Sequence, residues 1–281
     1  MVLAHGDTTT CFATALSSFY HHIPFFHVEA GLRTRLLDSP FPEEFNRQTV
    51  TPIATHHFAP TETEKKNLLQ DGVSDRAITV TGSTVHDAVD IMGVGDKSAA
   101  KSADGFLQNS DKTPQRPLVV VTLHRREGTL TLPTLLQELR GVASQRPEMV
   151  FIVPVHPNPI VQEMMQNNLS GMENVQLMPP LSYPRFLALL LKSSLVITDS
   201  GGVQEEAAFL GKQVLLARDQ TEREDGLATG HVKLIGATAE NLQSLIDRSL
   251  MATLAPEKRK DVLARRRSAS NIIANHIKDY A

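Results

Sequence analysis

The chain has 281 residues, 41% of them hydrophobic and 21% charged, with a formal net charge of −3. That length suggests about two domains, that composition suits a globular chain with sizeable cores, and that charge gives no electrostatic case for a nucleic-acid or anionic-membrane partner. The one cysteine, Cys11, excludes an intrachain disulfide framework; with no run near the roughly 18 apolar residues of a membrane span and no charged-then-apolar leader, the expected location is cytoplasmic.

The N-terminal part is sparse in strands. Val2–Ala4, Phe25–Val28, His57–Ala59 and Ala77–Val80 are predicted strands, with helices over about 9–20, 43–55 and 62–70. Cys11 falls on the first of these helices and reads as packing, not as a nucleophile. Together these elements amount to half of a doubly wound α/β domain over residues 1–92. Residues 93–116, GVGDKSAAKSADGFLQNSDKTPQR, are rich in Gly, Ser, Lys and Asp and read as a linker.

The next part is more regular. Apolar runs recur at Leu118–Thr122, Val150–Val155, Val175–Met178, Leu195–Thr198, Val214–Ala217 and Val232–Ile235. Runs of this length, rich in β-branched residues, suit strands buried on both faces. Helix-like stretches lie between several of them: LPTLLQELRGVA, NPIVQEMMQNN, YPRFLALLLKS and GGVQEEAAFLG. Strand, helix, strand at this spacing predicts βαβ units and a parallel sheet, a Rossmann-like domain over residues 117–255. The tail, 256–281, is helical and basic and is expected to pack back on the first domain. Its Arg265-Arg266-Arg267 run reads as a solvated face.

Six stretches carry chemistry. In ITDSGGVQEEA (Ile197–Ala207) a buried strand runs into Asp199-Ser200-Gly201-Gly202 and then a helix beginning near Val203. Glycines let backbone approach a ligand, and a helix N-terminus offers N–H groups to an anion. Ser200 adds a hydroxyl for a phosphate, and Glu205 or Glu206 a carboxylate for ribose hydroxyls. Without a ligand, the same stretch is a Ser N-cap and a Gly turn. The Walker A lysine is missing, which argues against a triphosphate.

In VTLHRREG (Val121–Gly128), His124, Arg125 and Arg126 follow a strand directly, at the sheet edge where open α/β folds place ligands. They suit a diphosphate, or equally an exposed basic turn pairing with Glu127. Asp7 in HGDTTT and Glu29 in HVEAGLRT each follow an apolar strand, so both can face one crevice and divide acid and base work. Glu43 and Glu44 in SPFPEEFNR join this set, although Pro42-Glu43-Glu44 is also an ordinary acidic helix start. His156 in PVHPNP ends another strand beside a Pro-punctuated turn. The paired His21-His22 and His56-His57 lack metal-site spacing, and no metal is expected.

Taken together, VLAHGDTTT, HVEAGLRT, SPFPEEFNRQ, FAPTE, VTLHRRE, PVHPNP and TDSGGVQEEAAFLGKQVLLARDQTER resemble the non-hydrolysing UDP-N-acetylglucosamine 2-epimerases of bacterial type, in the same order over residues 1 to about 250. The resemblance implies a glycosyltransferase-B-like pair of Rossmann-like domains with substrate between them. It implies interconversion of UDP-GlcNAc and UDP-ManNAc by UDP elimination to 2-acetamidoglucal and re-addition with C2 inverted, with no redox cofactor and no obligatory metal. It places the acid/base carboxylates on Asp7, Glu29 and Glu43 and the catalytic histidine on His124. Substrate contacts fall on Arg125, Ser200, Gly201, Gly202, Glu206 and Arg223, with Phe186 stacking on uracil. His156 falls on a motif that lines the cleft and contributes to an allosteric UDP-GlcNAc site.

The chain also departs from the family. The resemblance implies a leading strand and a Gly-Thr-Arg-Pro-Glu loop ahead of residue 1, so the first domain is expected to lack roughly a hundred residues, about its first mononucleotide-binding half. The TERPEA block reads TEREDG at Thr221–Gly226, Pro52 replaces an Asp, Gly128 replaces an Asn, and the family's Asn-Pro-Tyr-Gly-Asp-Gly is absent, ARRRSASN standing there instead. The family dimerises through its first domain, so a homodimer is expected if that domain is whole. Two alternatives stand beside the isomerase: an inactive or partner-dependent UDP-sugar-binding fragment, and a UDP-sugar glycosyltransferase of the same architecture.

Overall fold

A computed structural model describes residues 1–92, 116–124, 131–223, 225–252 and 268–280. The chain divides into two compact units: residues 1–88 with the C-terminal helix Ala269–Tyr280, and the described residues from 89 to 252. Among the described residues no helix is long and apolar enough to cross a membrane.

The first unit is built on a four-stranded parallel sheet, β1 (Val2–His5), β2 (Phe25–Val28), β3 (His56–Ala59) and β4 (Ile78–Val80), in that order. Its helices are α1 (Thr9–Tyr20), α2 (Glu43–Val50), α3 (Glu62–Gln70) and, as far as residue 88, α4 (Thr84–Ile91). α2 stops earlier than the expected 55: Pro52 has no N–H to continue the ladder, so residues after Thr51 turn away. On one face of the sheet Cys11 and Ala15 of α1 and Val50 of α2 cover Phe25. On the other, Ile273 of the C-terminal helix packs on Phe26, Val28 and Phe58, and the His276 ring stands 4.0 Å from that of His56. Asp87 of α4 anchors this helix, its Oδ2 accepting from the Ser270 N–H at 2.6 Å and the Ser268 hydroxyl at 3.0 Å. β2 and β3 are buried throughout, whereas β1 alternates between half-buried and exposed residues.

The second unit has a six-stranded parallel sheet: β5 (Leu118–Thr122), β6 (Val150–Pro154), β7 (Val175–Met178), β8 (Leu195–Thr198), β9 (Gln213–Leu216) and β10 (Val232–Leu234). The spatial order is β10-β9-β8-β5-β6-β7. Read from the other edge this is 3-2-1-4-5-6 within the unit, the Rossmann order, with its topological switch between β5 and β8. Alternation along each strand builds two cores. Val119 and Val121 face α5 (Leu132–Gln145), α6 (Pro159–Leu169) and α10 (Leu242–Met251). Leu118 and Val120 face α7 (Tyr183–Lys192) and α8 (Gly201–Phe209). A short helix, α9 (Asp225–Ala228), lies between β9 and β10. Fully burying one such aliphatic side chain is worth roughly 1.5–3 kcal/mol, so these two layers fix the strand ends rigidly.

Candidate active site

The predicted site residues fall into two clusters, one in each unit. In the first, β1 and β2 run parallel with His5 beside Val28, so the turns that follow leave the same edge of the sheet. Gly6 takes a positive φ of 78°, which a side chain would strain. Its N–H donates to the Val28 carbonyl at 3.0 Å, and its own carbonyl accepts from His27 Nε2 at 2.7 Å. Burial lowers the His27 pKa to about 4, so the ring is neutral and Nε2 carries the proton it donates. Glu29 itself has φ 64°. Its Oε2 lies 3.4 Å from the point a Gly6 Cβ would occupy. The turn carrying Asp7 and the Glu29 carboxylate are thus brought together at neighbouring strand ends.

α2 closes the other side. Asp7 Oδ2 accepts from Arg47 Nε at 2.8 Å and ion-pairs with Nη2 at 2.6 Å. The Asp7 carbonyl accepts from Asn46 Nδ2 at 2.8 Å. Glu43 opens α2 one turn before Arg47, on the same helix face. It is half-buried, and its carboxylate makes no hydrogen bond or ion pair among the described residues. Glu44 is the opposite case. It is fully buried, accepting from the N–H groups of Thr34 at 3.0 Å and Arg35 at 3.1 Å and from Gln48 Nε2 at 2.8 Å. A carboxylate used up in this way ties the 34–35 loop to α2 and serves structure. Burial, with help from Asp7 and Glu29, pushes the Cys11 thiol up to about 11, which leaves it protonated and unreactive.

The second cluster sits at the switch point. Thr122 and Thr198 end β5 and β8 side by side, their hydroxyls 2.8 Å apart. Two residues on, the His124 N–H donates to Asp199 Oδ2 at 2.8 Å, and His124 Nδ1 stands 3.3 Å from Oδ1. The exposed His156 ring stacks on that of His124, centroids 5.4 Å apart and 13° from parallel. Arg125 lies outside the described residues.

Ser200 caps α8: its Oγ accepts from the Val203 N–H at 3.4 Å, and its own N–H donates to Thr198 Oγ1 at 3.0 Å. The two glycines are not equivalent. A Cβ on Gly201 would meet Arg223 Nε at 3.1 Å and Glu222 Oε1 at 3.3 Å, whereas one on Gly202 would find only Ser200 Oγ, at 4.0 Å. Gly201 therefore makes room for Arg223, and only Gly202 leaves the helix N-terminus bare to an approaching anion. Arg223 is held by Glu205 and by Gln204, whose Nε2 donates to its carbonyl at 2.9 Å. Burial, reinforced by the charge of Glu205, raises the Glu206 pKa to about 7. Phe186 is half-buried against the core beside α8.

Three residues of these clusters, Asn46, Arg47 and Asp199, carry no assigned role in the sequence motifs. Asn46 and Arg47 lie in the quoted FNR, and their i,i+4 spacing from Pro42 and Glu43 is a signal that they share the helix face of the carboxylates. Asp199 sits inside TDSGG, where the local pattern signals only a turn. Nothing local separates the buried Glu44 from Glu43.

Comparison with known proteins identifies the family. Residues 1–277 match the family model described as UDP-N-acetylglucosamine 2-epimerase. The chain is 42% identical over 250 residues to the UDP-N-acetylglucosamine 2-epimerase of Neisseria meningitidis serogroup A, covering 86% of this chain and 65% of that protein. To the protein of the same name from Escherichia coli K12 it is 41% identical over 255 residues, covering 89% of this chain and 67% of that one. The chain thus spans about two thirds of the length of these curated relatives. A crystal structure of the Neisseria meningitidis UDP-GlcNAc 2-epimerase bound to UDP-GlcNAc superposes with a TM-score of 0.88 at 36% identity, over 99% of this chain and 76% of that chain. The α/β fold with parallel sheets is of the glycosyltransferase-B-like kind seen in such neighbours.

Proposed function

The chain belongs to the UDP-N-acetylglucosamine 2-epimerase family, and on that premise we propose that it interconverts UDP-N-acetylglucosamine and UDP-N-acetylmannosamine by inverting C2 of the sugar. The observation that carries this reading is the Glu29 carboxylate standing against Gly6, in the turn that carries Asp7, at the ends of two neighbouring parallel strands. A glycosyltransferase of similar fold needs a UDP site but no such pair.

The chemistry requires it. The C2 proton is a poor acid, so a positioned carboxylate must take it. The C2–H electron pair becomes the C1=C2 double bond as the C1–O bond breaks, and UDP departs with that bond's electrons. The product is 2-acetamidoglucal. UDP oxygen then adds back to C1 while a second carboxyl group delivers a proton to the opposite face of C2. Asp7, Glu29 and Glu43 are our candidates for these transfers. His124 and the bare N-terminus of α8 at Gly202 stabilise the departing diphosphate, with Arg125 beside them in sequence. Glu206 accepts from the ribose hydroxyls, Arg223 steadies the turn, and Phe186 offers its ring to uracil. The reading carries with it a homodimer and a cytoplasmic role in surface-polysaccharide precursor supply.

Incubation of the chain with UDP-N-acetylglucosamine in D2O, followed by proton NMR, tests it. The expected result is UDP-N-acetylmannosamine with deuterium at C2 in both sugars. Neither product nor exchange would sink the proposal. A second reading, UDP binding without turnover, is favoured by one observation: Asp7 follows the least buried strand of its sheet, whereas β5 and β8 are buried throughout. Calorimetric binding of UDP with no exchange would select it.

A further inference from the structure

We infer that Arg47 is the positioning residue of the acid/base cluster: it grips the Asp7 carboxylate by one oxygen and leaves the other to meet the sugar. The inference rests on the epimerase reading above.

Three observations carry it. Both Nε and Nη2 of Arg47 converge on Asp7 Oδ2, at 2.8 and 2.6 Å, so the grip fixes that oxygen. The guanidinium is itself immobile. Its side chain is 4% exposed, and Nη1 reaches the buried Glu44 Oε2 at 3.3 Å, while Glu44 is held by the Thr34 and Arg35 N–H groups. The neighbouring Asn46 fixes the Asp7 backbone from the same helix. Asp7 stands on a turn behind a left-handed glycine, and its side chain is 20% exposed. Nothing within that turn dictates its rotamer, so α2 does.

A buried guanidinium is expensive and persists when two carboxylates satisfy it. Lysine cannot replace it, because a single ammonium lacks the planar fork that places two donors on one oxygen. Proton abstraction depends on near-attack geometry, in which a misplacement of about 1 Å can cost on the order of a hundredfold.

The test compares the wild-type chain with Arg47→Lys and Arg47→Ala. C2 exchange of UDP-N-acetylglucosamine in D2O reports chemistry, and calorimetry with UDP reports the second unit's site. Arg47→Lys is expected to lower exchange about 100-fold with UDP affinity unchanged. Guanidinium ion at millimolar concentration is expected to restore part of the exchange of Arg47→Ala. In an Asp7→Asn background Arg47→Lys should cost nothing further. Exchange at the wild-type rate in Arg47→Lys overturns the inference and leaves the epimerase reading standing. So does loss of UDP binding together with exchange, which would mark a scaffold role. A wild-type chain that performs no exchange overturns both.

Discussion

His124 and Asp199 meet across the two central strands of the second sheet: the backbone N–H of one donates to a carboxylate oxygen of the other at 2.8 Å, and the ring nitrogen faces the second oxygen at 3.3 Å. The contact joins residues far apart in sequence at the point where strand order reverses. Asp199→Ala removes both interactions and is expected to lower stability by about 1–3 kcal/mol and to weaken UDP binding. Asp199→Asn keeps an acceptor for the N–H, so it should melt closer to wild type while still binding UDP less well. Thermal melts and calorimetry check both. UDP binding by Asp199→Ala equal to wild type would detach this pair from the site.

Burial raises the Glu206 pKa to about 7, and the ribose role proposed for Glu206 calls for its carboxylate form. UDP affinity is therefore expected to rise with pH, by about tenfold between pH 6 and 8 if only the ionised form binds. The UDP phosphate also titrates near 6, so the relevant quantity is the difference from Glu206→Gln, which should show a shallower rise. Identical pH profiles for the two proteins would remove Glu206 from the ribose site.

Glu43 and Glu44 are neighbours with opposite expected behaviour. Glu44→Ala strands the Thr34 and Arg35 N–H groups and one end of Arg47, and is expected to cost about 3–5 kcal/mol of stability. Glu43→Gln removes a half-buried carboxylate with no partner among the described residues. It should melt like wild type and lose C2 exchange. A Glu43→Gln chain with full exchange would take Glu43 out of the mechanism.

Three histidines make the chain acid-sensitive. Burial is the leading cause that lowers His27 and His56 to about 4 and His57 to about 3. The native state keeps them neutral, while the unfolded chain binds protons below about 6.5. Their contribution is thus complete above pH 6.5 and is lost as pH falls toward 4, His27 alone accounting for up to about 3 kcal/mol. Urea melts at pH 7.5 and 5 should show a clear drop in midpoint. A flat midpoint would contradict the neutral assignment.

Strand positions were legible because short apolar runs between turn residues have few other uses. Phe25–Val28, Leu118–Thr122, Val175–Met178 and Leu195–Thr198 match their expected bounds. Two helices gave no clear signal. Thr84–Ile91 contains Thr84, Val85, Val89 and Ile91, whose branched side chains lean toward strand, and packing decides its form through the buried Val89. Leu242–Met251 becomes recognisable only once Leu242 and Ile246 are seen filling the core under β5.

By itself the sequence determined the α/β class, the parallel sheets and the motifs that resemble the 2-epimerase family, because propensity, burial pattern and turn chemistry act within a window of a few residues. Only the tertiary structure decided which acidic side chain is used up in holding loops, as Glu44 is, and which stays half-buried beside them, as Glu43 does. Asp7 is gripped by Arg47, 40 residues away, and His124 is met by Asp199, 75 residues away. Those partners are set by strand order and by the face on which a helix lands, and the packing of both cores holds these geometries in place.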